Sequence, residues 1–558
     1  MRVQLLFTGG RKVACSSGLS KKWHRPAPQF LISMAAAGAF IVSGMATAAS
    51  PAPSTSVNEP ALAAGTISAA EAPESAANTA QVLAATARFF RRGFDSNRHG
   101  ALVLGSLRST HDAALTPYFL QISRAKDPML QLTGILDANY VSGNPKVLNM
   151  RHFFSIPLPT LLTASLAMLI QYGNITTRQL QTILKIAPQP SQRLLAAAAL
   201  VTRKLDNLAL PELTSLLASA DPSVRYYAAM TILETDDAGA VTKAMAVLGR
   251  LAATHSPDLQ HIKRALLARA AVKDIKAAIP WVSRIAEDKK ATGGTRRGAV
   301  TALLYMHAPG AGRRLEHLIA ESHNTIDRIE LGLLAIEYGQ QVSPASIRKL
   351  LKTHSPLQRD IARAGLLAAY HKDPLPEILH LVHQGQPLFL NWVYGYCRNP
   401  ANPHRLRLLT ALVHYATVVD SQRDVDYLRA EAAAKRIANM DSPAARRLLA
   451  GFLQSVNHGV VEAALGGMMQ SRKMNFGPLV APIWPQLRKS HDHQIRQYAA
   501  IVLSRAGLKM AMPELRNIVL YNDRRTDGFR AVAGWYYLKL AGQTRRLLHE
   551  VAAGTPAK

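Results

Sequence analysis

From about residue 81 onward, short runs with apolar residues every three or four positions alternate with brief polar breaks marked by Pro, Asp, Ser or Gly. That spacing lays the apolar residues along one face of a helix, and the breaks keep each helix short. One run returns again and again. "DPSVRYYAAMTIL" (221–233) has near-copies in "PSQRLLAAAAL" (190–200), "SPLQRDIARAGLL" (355–367) and "HDHQIRQYAAIVL" (491–503).

Taking Arg225 as a register mark, equivalent positions fall at Arg98, Gln131, Leu162, Arg193, Arg264, Arg296, Arg328, Arg359, Tyr394, Arg429, Val461, Arg496 and Arg530. Each interval has room for two helices of about 10 to 14 residues joined by short turns. The second helix of each pair starts just before the mark. One turn after the mark come small residues, such as Ala228 and Ala229 or Ala499 and Ala500, which let a neighbouring helix approach closely. The first helix is clear in "LPELTSLLASA" (210–220) and "MPELRNIVLYN" (512–522), with Pro at its start, where no amide partner is needed. A single pair cannot bury its apolar face alone, whereas stacked pairs share a continuous core. The prediction is an all-α chain, an α-solenoid of about 14 stacked two-helix units over 81–554.

In "LPELTSLLASADPSVRYYAAMTIL" the positions Pro211, Leu213, Leu216, Leu217, Asp221, Val224, Arg225, Ala228 and Ala229 resemble the HEAT-repeat family in its short bacterial form, also met in phycobilisome-lyase-type repeats. Asp492, Ile495, Arg496, Ala499 and Ala500 make a second good match. The resemblance implies a fold and no single activity. It also implies that Asp221, Arg225, Arg193, Arg359, Asp492 and Arg496 brace neighbouring repeats, with gaps where a unit such as Ser355-Pro356 lacks the Asp.

Composition agrees with helices: Ala and Leu dominate, and aromatic residues make up only 6%. Charge adds something new. The chain carries 66 Lys and Arg against 36 Asp and Glu, a net +30, which favours anionic partners: nucleic acid, an anionic membrane or a polyanionic glycan. Six basic residues and no acid fall within residues 1–48. Without them the balance is still +24.

Residues 29–50, "QFLISMAAAGAFIVSGMATAAS", form an apolar run ending in Ala46-Thr47-Ala48. This is the pattern of a secretory signal peptide over 1–48, cleaved after Ala48. An uncleaved membrane anchor at 30–48 is the alternative, because about 20 apolar residues span a bilayer. Residues 49–80 are rich in Ala, Pro, Ser and Thr and read as a disordered linker. Export and a periplasmic or secreted location follow from the leader.

Neither a catalytic constellation nor a cofactor motif emerges, so no catalytic, cofactor-binding or metal-ligating residue is assigned and no cofactor is expected. "HDH" (491–493) reads as a helix cap at Asp492 rather than a metal site. With Cys15 in the leader, Cys397 is left with no cysteine partner and no obvious base. The unit that departs from the pattern is "FLNWVYGYCRNPANPHR" (389–405). It places Tyr394 at the mark and adds Trp392, Tyr396 and Arg398 before Asn399-Pro400 and Pro403 cut the helix short. Trp392 and Tyr396 share a helix face. These four residues are the candidate partner-binding platform; the competing reading has them filling a gap between repeats. The expected function is an exported, non-enzymatic scaffold for a protein or anionic partner. A nucleic-acid-binding protein with repair activity is the alternative if the leader does not export the chain.

Overall fold

The computed structural model describes residues 75–171, 175–353, 355–399, 402–418, 424–472, 475–521 and 526–554. The expected leader and residues 49–74 of the expected linker lie outside them. Among the described residues there are 29 α-helices and no strand, and no helix is long and apolar enough to cross a membrane.

The helices pair into fourteen units. Their second helices are, in order, Arg98–Ser109, Pro128–Ser142, Pro159–Gln171, Pro190–Thr202, Pro222–Ile232, Pro257–Val272, Gly293–Tyr305, Thr325–Tyr338, Pro356–Ala369, Pro387–Tyr396, Asp424–Met440, His458–Met469, His493–Arg505 and Asp527–Leu540. A first helix precedes each one, and a last helix, Thr544–Ala553, follows unit 14. This is a HEAT-like α-solenoid.

Most of the second helices start at a capping residue. The Asp221 carboxylate accepts from the amides of Ser223 (2.8 Å) and Val224 (3.4 Å), and Asp492 does the same for Gln494 (2.7 Å) and Ile495 (3.3 Å). Asp127, Thr292, Asn324 and Ser355 occupy the equivalent place. These bonds satisfy amides that have no partner within the helix. Asp221 and Asp492 are therefore caps of their own helices.

The residue four places after the cap reaches back across the turn to a carbonyl. Arg193 donates to Ala187 O (3.2 Å), Arg225 to Ser219 O (2.9 Å), Arg328 to Ser322 O (3.2 Å), Arg496 to Ser490 O (2.8 Å) and Gln131 to Ala125 O (2.7 Å). Some of these side chains also touch the next unit's first helix, as in Arg193 with Glu212 (2.8 Å) and Arg296 with Glu321 (2.8 Å). The recurrent arginine locks the turn of its own unit first and ties to the next unit second. Arg359 departs from this expectation. It is exposed, and its turn is held by the buried Gln358, which donates to Leu350 O (3.2 Å).

Several positions shift relative to the sequence reading. The unit 10 helix is capped at Gln386, so its mark is Leu390 and Tyr394 lies one turn later. Unit 6 is capped at Ser256, so its mark is Gln260 rather than Arg264. Arg98 is the first residue after its cap, Asn97. Pro211 lies inside the helix Asp206–Leu216 instead of at its start. The first helix begins at Ala76, within the stretch read as linker, because Ser75 caps it by accepting from the Asn78 amide.

Over most of the array successive second helices pack more intimately than successive first helices, so they line the inner wall of a curved array. Small residues permit the approach. A Cβ on Gly332 would meet Ile361 Cγ2 at 2.7 Å, and one on Gly467 would meet the backbone N of Lys435 at 2.5 Å.

The array closes on itself. Ala76–Arg92 and Arg98–Ser109 pack against Asp527–Leu540 as a following unit would, and Thr544–Ala553 lies against Ala76–Arg92. One continuous hydrophobic core contains Val82, Phe90 and Leu104 from the start of the array together with Trp535, Tyr537 and Leu547 from its end. Across the seam Arg92 pairs with Asp527. Asp112 takes hydrogen bonds from Trp535 Nε1 (2.9 Å) and Lys539 Nζ (2.6 Å), and the Arg530 guanidinium lies 4.7 Å from the centre of the Phe89 ring. The solenoid is a ring of fourteen units.

Candidate functional site

The unit 10 helix ends early, at Tyr396, and Cys397 caps it. Trp392 and Tyr396, one turn apart, stack with ring centres 5.0 Å apart and an angle of 11° between the planes. The Trp392 indole N–H donates to Glu337 Oε1 at 2.8 Å, and the Tyr305 hydroxyl donates to Oε2 at 3.3 Å. Tyr305 also packs on Tyr338, ring centres 5.4 Å apart. Three units thus contribute to one cluster: unit 7 (Tyr305), unit 8 (Glu337, Tyr338) and unit 10 (Trp392, Tyr396). Unit 9 is bridged over because small residues let it sit tightly on unit 8, with a Cβ on Gly339 only 2.8 Å from Ala369 N.

Burial pushes the Glu337 carboxyl up to about 7, while the hydrogen bonds from Trp392 and Tyr305 work in the opposite direction. Burial also raises the Tyr396 phenol to about 12 and shifts Tyr305 and Tyr338 upward. Both donors to Glu337 are neutral groups.

The four residues expected to form one platform are divided by the structure. Trp392 and Tyr396 join the Glu337 cluster. Tyr394 turns to unit 11, where the Arg436 guanidinium lies 3.5 Å from its ring centre and donates to its carbonyl at 2.6 Å. Arg398 is exposed. Sequence reasoning missed Tyr305, Glu337 and Tyr338. A signal was present, since these residues stand nine or ten places after the marks Arg296 and Arg328 and form a column once the repeats are aligned.

Two other enclosed acids keep a cation close by. Arg269, almost fully buried, donates to Glu234 (2.9 Å) and to Thr231 Oγ1 (3.1 Å). Asp137 lies 3.3 Å from Arg108. Cys397 is fully buried, and burial pushes its thiol up to about 12, the opposite of what a nucleophile needs.

Two basic grooves lie between neighbouring units. One, of about 340 Å³, is lined by Lys146, Arg151 and Arg178 with Thr176, Gln179 and Asn149, and no acid lines it. The other, of about 230 Å³, is lined by Lys289, Arg296, Arg313, Arg314 and His317 with Glu287 as the lone acid.

No protein-family model matches this chain, and no curated protein matches it. Among solved structures it is similar to the karyopherin Kap121p bound to the SUMO protease Ulp1p, at 12% identity and a TM-score of 0.33, covering 84% of this chain and 55% of that one. Kap121p bound to Nup53p gives 12% identity and a TM-score of 0.32, with 86% and 55% covered. Kap121p bound to RanGTP gives 12% and 0.30, with the same coverage. The chain spans just over half the length of these structures. The architecture described above stands on the chain's own packing.

Proposed function

We propose that this chain is an exported, non-enzymatic scaffold of the short bacterial HEAT type that holds a protein or other polymer of acidic surface across its basic outer grooves. The observation that carries the reading is the groove of Lys146, Arg151 and Arg178, where three exposed cations face one opening with no acid among them. Such a surface raises the local concentration of an anionic partner and speeds encounter in a salt-dependent way. The apolar run ending at Ala48 supports export, which takes the ring away from nucleic acid and toward acidic proteins and envelope polymers.

The test is retention on immobilised polyglutamate as a function of salt. The wild-type protein is expected to bind at low salt and elute steeply, and the triple variant K146E/R151E/R178E to lose about tenfold in affinity with unchanged circular dichroism. Equal binding by the folded triple variant refutes the assigned groove. A reporter fused after residue 60 checks export: activity inside the cytoplasm, combined with salt-dependent affinity for duplex DNA, replaces this reading with the nucleic-acid one.

A further inference from the structure

We infer that the Glu337 cluster is a binding site for an alkylammonium group, such as the side-chain amine of a lysine carried by a partner. Its starting point is a mismatch of charge. In a chain with 66 basic residues and 36 acidic ones, a cation is easily placed beside an enclosed carboxylate. Glu234 has Arg269, Asp137 has Arg108 and Asp112 has Lys539. Glu337 instead has the indole of Trp392 and the phenol of Tyr305.

The surrounding groups have matching polarity. Trp392 and Tyr305 point the positive ends of their N–H and O–H dipoles at the carboxylate. The partly exposed rings of Tyr305 and Tyr338 and the Trp392–Tyr396 stack stand beside it. Aromatic faces attract a cation, most strongly where water is partly excluded. A carboxylate with unused lone pairs among them supplies the charge-assisted hydrogen bond that an ammonium N–H requires. An anion is repelled by this arrangement.

The cluster is also reachable. Tyr305 is 43% exposed, and Glu337, Tyr338, Trp392 and Tyr396 are half-buried. Three units supply its walls, which fixes the spacing of the rings through the packing of the array itself.

This inference is independent of the basic grooves and of export. Its test is titration of the full chain with tetramethylammonium chloride and with n-butylammonium chloride, against sodium chloride at matched ionic strength, read by tryptophan fluorescence. The expected result is a saturable change in the millimolar range for n-butylammonium and a weaker one for tetramethylammonium, which has no N–H to donate; the n-butylammonium response is weakened at least about tenfold in E337Q and absent from W392F, which reports whether Trp392 is the responding ring. D236N, which alters an exposed acid, should titrate like the wild type. Should E337Q fail to fold, Y305A serves in its place, since Tyr305 sits on the open side, and a clear loss of affinity is expected. No saturable signal up to about 100 mM, equal binding by folded E337Q or Y305A, or an equal response to a neutral sugar would each overturn the assignment.

Discussion

Gly534, in the second helix of the last unit, lies so close to Thr86 in the first helix of the first unit that a Cβ on it would overlap the threonine Oγ1. A Cβ on Gly528 would likewise overlap Ser106 Oγ and stand 2.6 Å from Leu102 O. The two ends of the array are therefore shaped to each other. G534V is expected to cost about 1–3 kcal/mol through overpacking and to enlarge the radius of gyration as the seam opens. G395A, with nothing within 4 Å of the new Cβ, should leave the dimensions unchanged and gain up to about 1 kcal/mol. Thermal melts and small-angle scattering measure both effects; a G534V protein with wild-type stability and size contradicts the closed ring.

The seam is also expected to be acid-sensitive. Burial alone would raise Asp112, but hydrogen bonds from Lys539 and Trp535 and the Lys539 charge outweigh it and hold the carboxyl below its ordinary value. A depressed acid stabilises the folded state fully above the unfolded-state value, about 3.9, and that stabilisation is lost as pH falls through the folded value. D112N should be less stable than the wild type at pH 6 by about 1 kcal/mol, and the difference should vanish on acidification. A difference that persists unchanged at low pH would show that the charge of Asp112 contributes nothing.

Two arginines at equivalent register positions should behave differently. Arg225 is half-buried and holds the Ser219 carbonyl at 2.9 Å, so R225A is expected to destabilise by about 1 kcal/mol. Arg359 is exposed, with Gln358 holding its turn, so R359A should stay within about 0.5 kcal/mol. Q358A should show the loss that R359A does not. Chemical denaturation midpoints of the three variants compare them directly.

The rhythm of the repeat was legible because capping and small-residue spacing are local. Asp221 and Asp492 announce their helices within three residues. The register slipped where the local cue was weak. Ser256 and Gln386 cap their helices without a side-chain bond to the amides, so Arg264 and Tyr394 drew the mark a turn too far. Ring closure left no local trace. "AVAGWYYL" reads like any buried helix, and only the contact of Gly534 with Thr86 gives its glycine a purpose. The Glu337 cluster falls between these cases. Trp392 and Tyr396 were visible as a pair on one face, whereas Glu337 is an ordinary acid in "LLAIEYGQ" until the curvature of the inner wall brings units 7, 8 and 10 together.

That curvature sets a last prediction. The Glu337 carboxyl is raised to about 7 from an ordinary 4.5 by burial, against the hydrogen bonds of Trp392 and Tyr305. Below the ordinary value the group is protonated in both folded and unfolded chains and imposes no penalty. As pH rises toward about 7 the unfolded chain ionises first, so a destabilisation accumulates, and it is complete once pH exceeds the folded value. Asp137 is likewise raised to about 7 by burial, but it is common to wild type and variant and cancels from their difference. E337Q, which keeps an acceptor for the Trp392 indole and carries no charge, should therefore gain on the wild type between pH 5 and pH 8. Tyr305→Phe, which removes a donor that favours the ionised form, should lose most at the upper end of that range. Paired thermal melts across the interval decide the matter, and a stability difference between E337Q and wild type that does not move with pH would mean that Glu337 titrates as an ordinary surface acid.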